Sequence, residues 1–367
     1  MPPFPLYTRY PQLAASLPRL ALFEGPSPVA ELARLGARVG GKAIWIKNDG
    51  LCGTPYGGNK PRMLEFVLAD VLAKGANTIL TFGGLGTNHG LATALYGREQ
   101  GLRTILLLVD QPVDDVVRRQ LCWFQQLGAI LHYTGSARRT MLLVLPLLLR
   151  YAHWRRKPPY LKLPYFLWPG GSTPMGTVGY ANAAFELAEQ VAAKELPEPE
   201  TIVVALGSGG TAAGLTLGLH LAGLKSRLLA IRISDRLPLT PKTVARLANG
   251  TARLMRRRGA ALPSTKIEPA AITVLSDWLG EGYGYPTPEG KRAQALLQET
   301  EGLALDLTYT AKTVAALLAL LEDGRLGEGP TLYWHTYNAL PQPLPQPEPD
   351  DYRRLPPAFH RFFETEA

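Results

Sequence analysis

Cysteine is nearly missing from this chain. Of 367 residues only Cys52 and Cys122 carry a thiol. Two thiols do not make a disulfide framework, which favours a reducing, cytoplasmic compartment. Long apolar runs are missing too. The nearest, Met141 to Leu149 (MLLVLPLLL), is too short to span a bilayer, carries Pro146 and ends at Arg150; it reads as a buried helix. The first residues (MPPFPLYTRYPQ) lack the basic-then-apolar order of a secretory signal. Acids are fewer than bases, 30 against 39, yet the two interleave over most of the chain. The densest basic cluster, Arg253 to Arg258, closes a predicted helix, where cations suit the dipole. No aromatic–basic interleaving accompanies it, so neither nucleic acid nor a membrane is expected as a partner. No repeat is visible, and no metal ligand set is assigned.

What is present is an alternation of strands and helices, which implies parallel sheets covered on both faces. Short apolar runs at 42–47, 78–82, 103–109, 129–133 and 165–168 read as strands. Helical patterns lie between them at 89–100, 113–127 and 140–152. A second series follows, with strands at 201–205, 227–233 and 331–334. A chain of this length has core enough for two domains or one large one. The segment after Leu340 is proline-rich and reads as an extended tail ending in aromatic residues.

Two stretches carry chemistry. Gly57-Gly58-Asn59-Lys60-Pro61-Arg62 joins a strand to an amphipathic helix starting at Pro61. Lys60 therefore sits at the positive end of a helix dipole, where the neutral amine is easier to reach. A lysine that attacks an aldehyde needs that bias; read alone, Lys60 also fits a solvated residue at a helix start. Far downstream, Leu206 to Gly214 (LGSGGTAAG) separates strand 201–205 from a helix near Thr211. Gly207, Ser208, Gly209, Gly210 and Thr211 there suit a phosphate cradle. The glycine spacing is neither the dinucleotide fingerprint nor a P-loop. An activated lysine and a phosphate cradle together suggest a phosphorylated aldehyde cofactor.

With these stretches in view, the runs from Ile46 to Gly90 and from Leu206 to Leu215 resemble pyridoxal-phosphate enzymes of the tryptophan-synthase-β fold. Within them the chain is most similar to the D-cysteine desulfhydrase and aminocyclopropane-carboxylate deaminase family, from about Leu17 to about His335. The resemblance implies two three-layer α/β domains with mostly parallel sheets. A large cofactor-binding domain would comprise residues 1–62 and 163–340, a small inserted domain 63–162, and a tail 341–367. It implies pyridoxal 5'-phosphate on Lys60, with Asn59 beside it. Asn88 would meet the cofactor's phenolic oxygen, and Thr87 and His89 would face a small amino-acid substrate. Tyr283 and Tyr309 would line the substrate face as general acid or base, with Tyr285 competing for the first role. Thr310, alone or with Thr336, would meet the pyridine nitrogen. A homodimer is implied as well.

The departures from the family bear on substrate. The deaminases carry glutamate where Thr310 stands, and a hydroxyl makes the weaker electron sink. β-Elimination of a thiol suits that better than opening a cyclopropane ring. After His335-Thr336 the family usually continues with two glycines, whereas Tyr337-Asn338 stand here. The resulting expectation is a desulfhydrase-like lyase. Its alternatives are a deaminase, a catalytically silent cofactor binder, and an interaction protein using the basic surface and tail. Ser172 is expected to hold a substrate carboxylate or to cap the helix at Pro174.

Overall fold

The structure is a computed structural model describing residues 4–154, 161–264 and 266–364. Its strands in chain order begin with β1 (Val29–Glu31), β2 (Ile44–Asn48), β3 (Thr78–Gly84) and β4 (Arg103–Val109). Next come β5 (Ile130–Gly135), β6 (His153–Trp154), β7 (Leu161–Lys162) and β8 (Tyr165–Phe166). The last are β9 (Thr201–Leu206), β10 (Arg227–Arg232), β11 (Thr273–Leu275) and β12 (Thr331–His335). They fall into two compact units, Met1–Phe66 with Ser172–Pro341, and Val67–Gly171 with Gln342–Ala367.

The first unit holds a six-stranded sheet in the order β1-β2-β12-β9-β10-β11, antiparallel only at the β1–β2 edge. Its side chains alternate between two cores, as strand geometry requires. Ile202, Val204, Leu332 and Trp334 enter one core with the helix Pro174–Ala192. Val203, Tyr333, Ile44 and Ile46 enter the other with the helix Thr310–Glu322. Every residue of β9 is buried, so the strand reads as an unbroken apolar run rather than an alternating one.

The second unit has a parallel four-stranded sheet, β5-β4-β3-β8. Leu80, Ile105 and Leu107 pack under the helix Ala137–Arg150. Two expectations change here. The Met141–Leu149 helix is not buried: Leu142 is 77% exposed and Leu145 62%, while Leu147 faces the sheet. Nor is the chain beyond Pro341 a free tail. Trp123 Nε1 donates to Pro345 O at 2.8 Å, Arg118 Nε donates to Phe362 O at 2.8 Å, and Phe359 and Phe362 pack edge-on against Tyr133.

Among the described residues no helix is long and apolar enough to cross a membrane. Cys52 and Cys122 are both buried free thiols.

Candidate active site

The helix Asn59–Ala73 starts two residues earlier than its proline suggested, so Lys60 lies within its first turn. Gly58 supplies the turn with φ +99°, and a Cβ there would come 2.8 Å from Thr336 O. At Gly57 a Cβ would overlap Gly50 O. The lysine loop is thus pressed onto the segment after β12. Asn59 N donates to Thr336 O at 3.1 Å, and Gly57 N donates to Asn338 Oδ1 at 2.7 Å. The Asn338 amide also donates to Leu340 O at 2.9 Å. Asn338 is therefore a clamp on the lysine loop. Replacing Asn338 with alanine leaves the buried Gly57 N–H without its acceptor. We expect a loss of about 1–3 kcal/mol in chemical unfolding, together with weaker cofactor retention in dialysis.

Lys60 is partly exposed, yet the surrounding protein lowers its ammonium to about 8. The amine is thus substantially neutral at mildly alkaline pH. Behind it lies a buried ion network. Arg62 donates to Glu186 Oε2 at 2.9 Å and to Asp49 Oδ1 at 2.8 Å. Lys47 Nζ, fully buried, donates to Glu186 Oε1 at 2.7 Å. Tyr180 and Trp334 donate to Asp49 Oδ2 at 2.6 and 2.7 Å. The network sets the base of the lysine helix, and the sequence reading passed over all of it.

The glycine-rich loop joins β9 to the helix Gly210–Ala222. Gly209 stands at φ +98° as the N-cap of the helix Gly210–Ala222, with no side chain capping that helix. A Cβ on Gly210 would come 2.8 Å from Ser172 Oγ. Ser172 neither caps nor stands apart: Thr173 accepts from Gly176 N as the cap of the Pro174 helix. Ser172 Oγ instead donates to Ser208 Oγ at 2.7 Å and accepts from Gly210 N at 2.9 Å. Asn59 Nδ2 donates to Thr211 Oγ1 at 3.2 Å, joining the lysine loop to the cradle. Glycine backbone at a helix start and the hydroxyls of Ser208 and Thr211 form a donor set suited to a phosphate, braced by Ser172.

Tyr309 lies against this cradle, since a Cβ on Gly207 would come 2.9 Å from its Cε1. Its hydroxyl shares a 2.7 Å hydrogen bond with Tyr283, whereas Tyr285 is 41% exposed. The extra residue in the 283–290 turn therefore leaves Tyr283 as the inward tyrosine. Both phenols are raised above their ordinary value, chiefly by burial. They hold their protons and suit the acid role; the lowered pKa expected of a base is not found. One of the two protons makes the shared bond, which leaves one O–H to donate elsewhere.

Thr310 is committed locally. Its hydroxyl donates to Asp306 Oδ1 at 2.7 Å and accepts from Asp306 N at 2.9 Å. Asp306, which the sequence reading overlooked, also accepts from the N–H groups of Thr308, Tyr309 and Thr310. It caps the helix that Thr310 begins.

The remaining three residues sit in the other unit at the start of the helix Asn88–Glu99. Thr87 is its N-cap, accepting from Gly90 N at 3.2 Å. Asn88 Oδ1 accepts from Gln120 Nε2 at 2.8 Å. His89 is 5% exposed and its Nε2 pairs with Thr81 Oγ1 at 3.0 Å. His89 thus sits in the first turn of this helix, held by Thr81 of β3. Among the described residues no group of three or more His, Cys, Asp or Glu could hold a metal ion.

Comparison with known proteins matches residues 20–336 to the family described as "Pyridoxal-phosphate dependent enzyme". The chain is 33% identical over 328 residues to D-cysteine desulfhydrase of Klebsiella pneumoniae, covering 88% of this chain and 94% of that protein. The Salmonella paratyphi B D-cysteine desulfhydrase is likewise 33% identical, over 323 residues, with the same two coverages. Among solved structures, an ACC deaminase homologue superposes with a TM-score of 0.75 at 28% identity, covering 92% of this chain and 96% of that one. An L-serine ammonia-lyase from Rhizomucor miehei shares the fold, with a TM-score of 0.56 at 15% identity over 86% of this chain and 95% of its own.

Proposed function

The chain belongs to the pyridoxal-phosphate-dependent enzyme family and is a lyase of that family; on that premise we propose that it eliminates the β-substituent of a small amino acid. D-Cysteine is the first candidate, with a 2-oxo acid, ammonia and sulfide as products. The observation that carries this is the bond from Asn59 to Thr211, which ties a lysine of lowered pKa to an anion cradle. When bound, the cofactor supplies an aldehyde for the amine and an electron sink for the charge left by the α-proton.

This chain's residues supply the rest. Ser208, Thr211 and the backbone of Gly207, Gly209 and Gly210, with Ser172 bracing the loop, would hold the phosphate. Lys60 Nζ, near neutrality, removes the α-proton. The outward O–H of the Tyr283–Tyr309 pair protonates the leaving sulfur. Thr310 or Thr336 faces the ring nitrogen. Because the Thr310 proton is already given to Asp306, Thr310 meets that nitrogen as an acceptor, with the Asp306 carboxylate behind it. We further assign the protein to the cytoplasm as a homodimer, which sedimentation equilibrium tests.

Release of oxo acid from a panel of D-cysteine, L-cysteine and aminocyclopropane-carboxylate tests the reading. D-Cysteine should lead; turnover confined to aminocyclopropane-carboxylate would make the chain a deaminase, and an inert loaded protein would make it a silent binder. Two further results are expected. Capture of added cofactor by stripped protein should rise about tenfold per pH unit up to about 8 and then level off, because only the neutral Lys60 amine reacts. A rise continuing to about 10, the ordinary lysine range, would remove the special status of Lys60. Changing Thr310 to valine should shift the bound cofactor's visible absorption and weaken its retention. A spectrum left unmoved assigns the ring nitrogen to Thr336.

A further inference from the structure

The helix Ala137–Arg150 is apolar on two faces. Leu147, with Leu143, Val144 and Leu148, covers the sheet of the second unit. On the other side Met141, Leu142, Leu145 and Leu149 are 46, 77, 62 and 57% exposed, a stripe at spacings of three and four residues. Trp154, 79% exposed, follows four residues beyond the helix end. Arg138, Arg139 and Arg150 are exposed at the two ends of the helix. From Ser136 to Trp154, the helix with its flanks, the sequence contains three arginines and no lysine, aspartate or glutamate. Proteins rarely leave a continuous apolar stripe in water unless something docks on it.

We propose that this helix face docks on an anionic lipid bilayer, lying on the surface without spanning it. Leucines and methionine would enter the acyl boundary, Arg138, Arg139 and Arg150 would meet lipid phosphates, and Trp154 would sit at headgroup level. The charge pattern selects lipid over a second copy of the chain. Two-fold pairing would lay one acid-free, arginine-flanked stripe against another. The expectation of no membrane partner weighed only a spanning helix and the basic cluster at Arg253–Arg258; the exposed face of this helix lies outside both considerations.

The test uses the full, cofactor-loaded chain in co-sedimentation with two vesicle types, pure phosphatidylcholine and phosphatidylcholine mixed with phosphatidylglycerol. Binding is expected to the mixed vesicles only. It should weaken as salt is raised and be accompanied by a blue shift of tryptophan emission that Trp154→Phe removes. Leu142→Glu with Leu145→Glu should cut the bound fraction at least about tenfold while melting temperature and turnover stay unchanged, since both side chains are exposed. Equal binding by parent and double variant would overturn the proposal, as would no binding at all. A dimer that the double variant converts to monomer, with no vesicle binding, would assign the face to a second copy instead.

Discussion

Replacing Lys60 with alanine is expected to lower kcat by about 10⁴-fold or more, because one side chain serves as both nucleophile and base. The fold should survive. Lys60 is only partly exposed in the first helical turn, and the buried charges nearby, Arg62, Lys47, Glu186 and Asp49, balance one another without it. Borohydride treatment of the loaded parent, followed by peptide mapping, should place the reduced cofactor on Lys60, and the variant should show no such label. Residual turnover within about tenfold of the parent, well above what loss of a general base allows, would refute the assignment. An unfolded variant would be recognised by its melting curve, and Lys60→Arg, which keeps the charge without the nucleophilic amine, then repeats the test.

The second large effect lies behind the site. Glu186 neutralises two buried cations, so Glu186→Gln should leave Lys47 and Arg62 undercompensated. Breaking such a group by removing one partner costs about 3–5 kcal/mol, enough to lower the melting temperature by roughly 10 °C. Acid should act through the same carboxylate. Burial alone would raise its pKa, but Arg62 and Lys47 outweigh burial and hold it at about 2. A depressed carboxylate contributes stability above its ordinary range, and that contribution is lost as pH falls from about 4.5 toward 2. The glutamine variant should therefore lose less stability than the parent over that window. Parallel loss in both proteins would mean that other carboxylates set the acid limb.

The sequence was most readable where function is local. The turn before Lys60 and the loop 206–211 announce themselves by glycine and proline over a few residues, and each lies at the start of a helix. The partners that brace them were hidden by distance along the chain. Lys47 and Arg62 meet Glu186 across 139 and 124 residues, so neither reads as anything but an ordinary surface cation. Thr173 takes the cap considered for Ser172, because adjacent hydroxyls at a helix start are equivalent until the backbone is known. Periodicity also failed for residues 141–149: a helix apolar all round carries no mark of which face is covered. The proline content after Leu340 suggested an extended segment, and it gave no sign that Trp123 and Tyr133 were waiting for it.

That last contact has a consequence for synthesis. The second unit starts at Val67 and pauses at Gly171, and its surface is completed only by Gln342 and the residues after it. Everything from Ser172 to Pro341 emerges from the ribosome in between. During that interval the sheet of the second unit can form, but the ground that Phe359 and Phe362 will cover beside Tyr133 stays bare. Domains generally fold in the order they are made. Here the unit whose sheet is complete by Gly171 is finished last, and Tyr133 waits for the end of the chain to be covered.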